Sequence, residues 1–223
     1  MLQGYIDQYH LEGAEEYGNF DSFGGFNGDG TDIVAEANRI YAAYSSQSSL
    51  DQVHYIWSQY HHSPSTSTSA WCCAFVYVCA DHCGYIGDGN IFGPDMIGWC
   101  STSRDFFERK GRTTRDPSYT PKPGDIIYFY NEGSSGIAHV GLVEYYDEAT
   151  GKVHTIEGNC GASPGHLSKN TWDAAANSFC YWSRRDDGTA VRRLIWGYAS
   201  PEYPTNDPAP APPPGDGNTE TEQ

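Results

Sequence analysis

One stretch leaves this chain little freedom in how it can fold. It is Ser69-Ala70-Trp71-Cys72-Cys73-Ala74-Phe75-Val76-Tyr77-Val78-Cys79-Ala80-Asp81-His82-Cys83-Gly84. The apolar run is long for a strand, holds no internal Gly or Pro, and ends on glycine. These features predict a helix with Ser69 as N-cap and Gly84 as the C′ stop. Cys72, Val76, Cys79 and Cys83 then share one face, which reads as core over most of its length. At its N-terminal end, free backbone N–H groups and the helix dipole are expected to lower the Cys72 thiol pKa. Cys73 is turned about 100° away around the helix and faces elsewhere.

The flanking patterns set the class. Apolar residues Ile33, Ala37, Ile40, Tyr41 and Tyr44 form a helical stripe. Ser49-Leu50-Asp51-Gln52 reads as a capping box for a helix carrying Leu50, Val53, Trp57 and Tyr60 at helical spacing. Asn27-Gly28-Asp29-Gly30-Thr31-Asp32 reads as a turn, since it lacks the spacing and distal Glu of a calcium loop. Residues 61–68, including His61 and His62, read as a polar loop. Gly93-Pro94-Asp95 is expected to start a helix running to about Lys110 and stopped by Gly111. Thr120-Pro121-Lys122-Pro123-Gly124-Asp125 is a turn. Strands follow at 126–130, 138–146, 152–157 and 193–199, with 161–190 mostly loop. Helices first and an antiparallel sheet afterwards give class α+β.

Composition excludes several functions. Net charge is −16, and the body before Pro201 holds 24 acidic against 13 basic residues. Binding nucleic acid needs clustered Lys/Arg, so that partner is not expected. No apolar run approaches transmembrane length, so no membrane is expected either. The seven cysteines are odd in number and irregularly spaced, which argues for reduced thiols over a disulfide scaffold. Cys79, His82 and Cys83 lack a second ligand pair at zinc spacing and read as packing. The start, Met-Leu-Gln-Gly-Tyr-Ile-Asp, has no signal-peptide pattern. Residues 201–223 are Pro-rich and acidic, a disordered linker or tail by composition. The expected organisation is one catalytic unit over 1–200, with a helical lobe at 31–62 and a motif core at about 70–200.

Acyl transfer by cysteine needs an ionisable thiol, an imidazole to exchange its proton, and a polar group to hold that imidazole. Cys72 opens a helix. His139 lies in a strand entered from a Gly/Ser loop. Glu157 lies at the end of the next strand, so a hairpin can make the two neighbours. Asn159, two residues on, shares the face of Glu157 if the strand continues.

With these residues in view, the chain resembles a known family. Trp71-Cys72-Cys73-Ala74-Phe75-Val76, Pro123-Gly124-Asp125-Ile126, Ala138-His139-Val140-Gly141-Leu142-Val143, Ile156-Glu157-Gly158-Asn159 and the closing Ile195-Trp196-Gly197-Tyr198-Ala199-Ser200-Pro201 are similar to the CHAP domain, the cysteine, histidine-dependent amidohydrolase/peptidase. The resemblance implies a papain-like (NlpC/P60-like) fold and cleavage of an amide bond in bacterial peptidoglycan. The bond would be that of an N-acetylmuramoyl-L-alanine amidase or of a stem or cross-bridge endopeptidase. It implies Cys72 as nucleophile in Cys-x-x-Phe-Val, His139 as base in Ala-His-Val-Gly, Glu157 as the group orienting the imidazole and Asn159 as a supporting polar group. The Cys72 backbone N–H is expected in the oxyanion hole. Some phage members bind calcium just before the cysteine; Ser65-Thr66-Ser67-Thr68 supplies no acids there, so no metal or cofactor is expected.

Three alternatives stand beside this reading. One is an NlpC/P60-type γ-D-glutamyl endopeptidase, although the Asp-Cys-Ser-Gly start of that group is absent. Another is a glutathionylspermidine-type amidase. The last is a non-catalytic wall-binding or assembly module. The expected partner is bacterial peptidoglycan, met outside the cell or after release of a phage enzyme from its host. A monomer is expected, with a wall-binding domain beyond the Pro-rich tail supplying local concentration.

Overall fold

The computed structural model describes residues 30–87, 92–93, 99–185 and 187–203. Among the described residues, four helices cover a curled antiparallel sheet of seven strands, as class α+β requires. The helices are α1 (Thr31–Tyr44), α2 (Ser49–His61), α3 (Cys72–His82) and α4 (Cys100–Arg109). The strands are β1 (Thr113–Thr114), β2 (Ile126–Asn131), β3 (Ile137–Asp147), β4 (Lys152–Cys160), β5 (His166–Asp173), β6 (Phe179–Arg184) and β7 (Ala190–Ala199). The sheet order is β1-β7-β2-β3-β4-β5, with β6 paired to the outer part of β7.

Helix α3 is the pivot. Eight of its eleven residues are buried, all of them from Cys72 to Ala80 except Tyr77. It is therefore wrapped on nearly every side, by α1, α2, β3 and β4, and carries no single apolar stripe. Its N-cap is Trp71, with no capping side-chain bond, and Ser69 lies outside the helix. The Ser69 carbonyl instead accepts the indole N–H of Trp57 at 3.1 Å, which ties the preceding loop to α2. The expected stop holds: Gly84 has φ 72°, and its N–H bonds the Asp81 carbonyl.

The cap of α2 sits one residue earlier than the sequence pattern suggests. Ser48 Oγ accepts the Asp51 N–H and donates to the Asp51 carboxylate. That frees Gln52, which is buried and accepts the Leu167 N–H at 2.7 Å, clasping α2 to β5. Glu36, Arg39 and His82 form a buried network between α1 and α3, with His82 Nδ1 2.6 Å from Glu36 Oε1. The fork of Arg39 holds the Glu36 carboxyl below its ordinary pKa against the opposing effect of burial. His82 is thus tied into packing.

Two cores flank the sheet. Ile126, Tyr128, Val140, Leu142, Ile156 and Trp196 face the helices. Ile127, Phe129, Val143, Val153, Ile195 and Tyr198 form the second core on the opposite face. β2 is buried on both sides, which is why its sequence is continuously apolar rather than alternating.

Two expectations are corrected. Residues 161–190 hold strands β5 and β6, whose side chains are mostly half-buried or exposed. Edge strands of this kind lack the apolar alternation that marks a strand in sequence. The helix ending at Arg109 begins at Cys100, because Trp99 is extended. Its expected start at Pro94 falls outside the described residues, as do the turn residues 27–29 and the tail after Tyr203.

Candidate active site

Gly158 lets α3 approach β4. A Cβ there would lie 2.6 Å from the Trp71 ring and 2.8 Å from Phe75 Cβ. Trp71 is further anchored by its indole N–H, which donates to the Pro164 carbonyl. The helix start, and Cys72 with it, is thereby held against the end of β4. The first intrahelical bond runs from the Phe75 N–H to the Trp71 carbonyl, so the Cys72 N–H has no acceptor within the helix.

β3 and β4 are antiparallel neighbours and bring His139 beside Glu157. The His139 Nε2 to Glu157 Oε2 distance is 2.8 Å, and both side chains are buried. The Cys72 thiol and the imidazole are close enough to act on each other electrostatically, the sulfur raising the His139 pKa and His139 lowering that of the thiol. With Nε2 on the carboxylate, Nδ1 is the nitrogen left for the sulfur. Glu157 Oε1 accepts from Thr155 Oγ1 at 2.5 Å and from the Trp172 indole at 2.9 Å, so both carboxylate oxygens are satisfied.

Asn159 takes a different place from the one expected. It has φ 61°, and the ladder slips between Glu157 and Cys160. The strand alternation therefore breaks, and Asn159 lies against Gly165 in the following turn. Cys160 turns toward the site instead, its Sγ 3.7 Å from Glu157 Oε2 and 4.0 Å from His139 Nε2. His139, Glu157 and Cys160 thus hold three metal-ligating atoms within 4.8 Å of one another, although both Glu157 oxygens already have protein partners. On the other side, Cys100 Sγ lies 3.4 Å from Cys72 Sγ.

The electrostatics differ from the simple helix-dipole expectation. Contact with Cys100 and burial push the Cys72 thiol up, while His139 pulls it down. Burial disfavours a charged His139, yet the sulfur and the Glu157 carboxylate beside it raise its pKa to about 9. Glu157 is held below its ordinary value because the His139 bond and charge, with Thr155 and Trp172, outweigh burial. Glu157 favours the imidazolium that forms when His139 takes the proton of Cys72, while Cys100 and burial hold the resting sulfur as a thiol.

Part of this chain is similar to the CHAP domain. Residues 64–159 match that family's model, a span containing α3, α4, β1, β2, β3 and nearly all of β4. Cys72, His139 and Glu157 all lie within it. Helices α1 and α2 precede the matched span, and β5, β6 and β7 follow it. A CHAP domain implies hydrolysis of amide bonds, in general those of peptidoglycan, by an amidase or a peptidase with a papain-like fold. No curated protein and no solved structure matches the chain.

Thr155, Trp172, Cys100 and Cys160 complete the surroundings of the site without having been singled out in sequence. Thr155 was within reach of sequence reasoning, standing two residues before Glu157 on the same strand face. Trp172 was not, because its strand reads as loop. The two cysteines have no local signature.

Proposed function

We propose that this chain hydrolyses an amide bond of bacterial peptidoglycan with Cys72 as the nucleophile. The carrying observation is the position of His139, hydrogen-bonded to Glu157 and electrostatically coupled to the Cys72 thiol. His139 takes the thiol proton as sulfur attacks the amide carbonyl carbon. The developing oxyanion is met by the free Cys72 N–H at the positive end of α3. His139 then returns the proton to the leaving amine, and a thioester remains. Water attacks the thioester, with His139 as its base, and releases the acid and the thiol. Glu157 fixes which imidazole nitrogen faces the sulfur and stabilises the imidazolium in both halves. Thr155 and Trp172 hold the carboxylate in place.

Digestion of purified cell walls followed by mass spectrometry of the muropeptides tests this. The wild type is expected to release soluble products and Cys72→Ala none. Lysis by Cys72→Ala at the wild-type rate would refute the assignment. A newly exposed N-terminal alanine identifies an N-acetylmuramoyl-L-alanine amidase; other new amines identify a stem or cross-bridge endopeptidase.

A further inference from the structure

Two helix starts meet in the site. Cys72 is the first residue of α3 and Cys100 the first residue of α4, and their sulfurs are 3.4 Å apart. Neither is in a disulfide. Cys72 is 6% exposed and Cys100 half-buried. Each thiol lies at the positive end of a helix dipole, which acts against the burial that raises both, and His139 beside Cys72 can take its proton. Going from 3.4 Å to a sulfur–sulfur bond of about 2.05 Å requires only a small approach of the two helix ends. Cys160 is directed at Glu157 and His139.

We propose that Cys72 and Cys100 are a reversible redox pair, in which a hydroperoxide oxidises Cys72 and Cys100 closes a disulfide onto it. This rests on the reading of Cys72 as the reactive thiol. The Cys72 thiolate attacks the outer oxygen of the hydroperoxide, the O–O bond breaks, and a sulfenic acid and an alcohol (water, from hydrogen peroxide) result. The Cys100 sulfur then attacks the sulfenic sulfur, the S–S bond forms, and hydroxide leaves to take up a proton as water. In sum, two thiols and one hydroperoxide give one disulfide, one alcohol and one water. The disulfide removes the nucleophile from the site and shields it from sulfinic and sulfonic acid. Two equivalents of thiol restore it.

The test treats the reduced full chain with one equivalent of hydrogen peroxide, blocks remaining thiols, and maps peptides without reduction. A Cys72–Cys100 linked peptide is expected in the wild type, with wall lysis falling at least tenfold and returning on addition of dithiothreitol. In Cys100→Ser a several-fold excess of hydrogen peroxide, from which the wild type recovers through its disulfide, is expected to carry Cys72 to the sulfinic acid, with activity that dithiothreitol does not restore. The proposal is overturned if no linked peptide forms, if Cys72 pairs with Cys73 or Cys160, or if Cys100→Ser recovers as fully as the wild type. Wall lysis without the linked peptide defeats this inference alone. The linked peptide in a reduced protein that never lyses walls supports it and defeats the hydrolase reading.

Discussion

The Glu157 side chain lies directly across Gly141: a Cβ on that glycine would stand 2.5 Å from Glu157 Cγ. Only an absent side chain lets the carboxylate cross β3 to reach His139. Gly141→Ala is therefore expected to displace Glu157, to lower wall hydrolysis at least tenfold, and to cost about 1–3 kcal/mol of stability. Chemical denaturation beside a lysis assay checks both.

The buried His139–Glu157 pair gives stability a pH profile. The carboxyl is depressed below 4.5 in the fold, so its contribution is full above that value and lost as pH falls toward the folded value. The imidazole is raised from 6.5 to about 9, so its contribution is full below 6.5 and lost as pH rises through 9. The pair is expected to contribute most between about 4.5 and 6.5. Melting curves of the wild type and of a His139→Gln, Glu157→Gln double variant measure it; equal slopes on both flanks would contradict it.

Glu157→Ala leaves an imidazole buried without its carboxylate. The expected loss is about 3–5 kcal/mol, in line with breaking one partner of a buried pair. Glu157→Gln keeps the shape and should fold better while still losing most activity. Urea midpoints and initial rates of the two variants separate packing from charge.

Contact with Cys100 is the largest influence raising the Cys72 thiol. Cys100→Ala is expected to move the midpoint of Cys72 alkylation by iodoacetamide to lower pH. Rates measured against pH, with the modified peptide identified by mass, read this directly.

Much of the fold is visible in sequence because its signals are local. The Gly84 stop and the apolar β2 follow from periodicity and glycine chemistry. The order of Cys72, His139 and Glu157 on helix, strand and strand follows from the same reading. Other features depended on distant partners. Gln52 leaves the expected capping box because Leu167, more than a hundred residues on, offers an unpaired N–H. β5 and β6 exist because β4 and β7 present edges for them, not because their own residues demand strands.

What the sequence by itself determined is the set of chemical groups and the elements that carry them, since helix starts, strands and turns are encoded within a few residues. Only the tertiary structure decided which groups meet. The left-handed Asn159 breaks the strand alternation and turns Cys160, not Asn159, toward the imidazole. The start of α4 sets Cys100 against Cys72, and Trp172 arrives from β5 to hold Glu157. Such contacts arise from register and packing between segments far apart in the chain, which no local pattern records. The helix that opens on Cys72 was legible at once, but its sulfur takes its chemical setting from β3, β4 and α4.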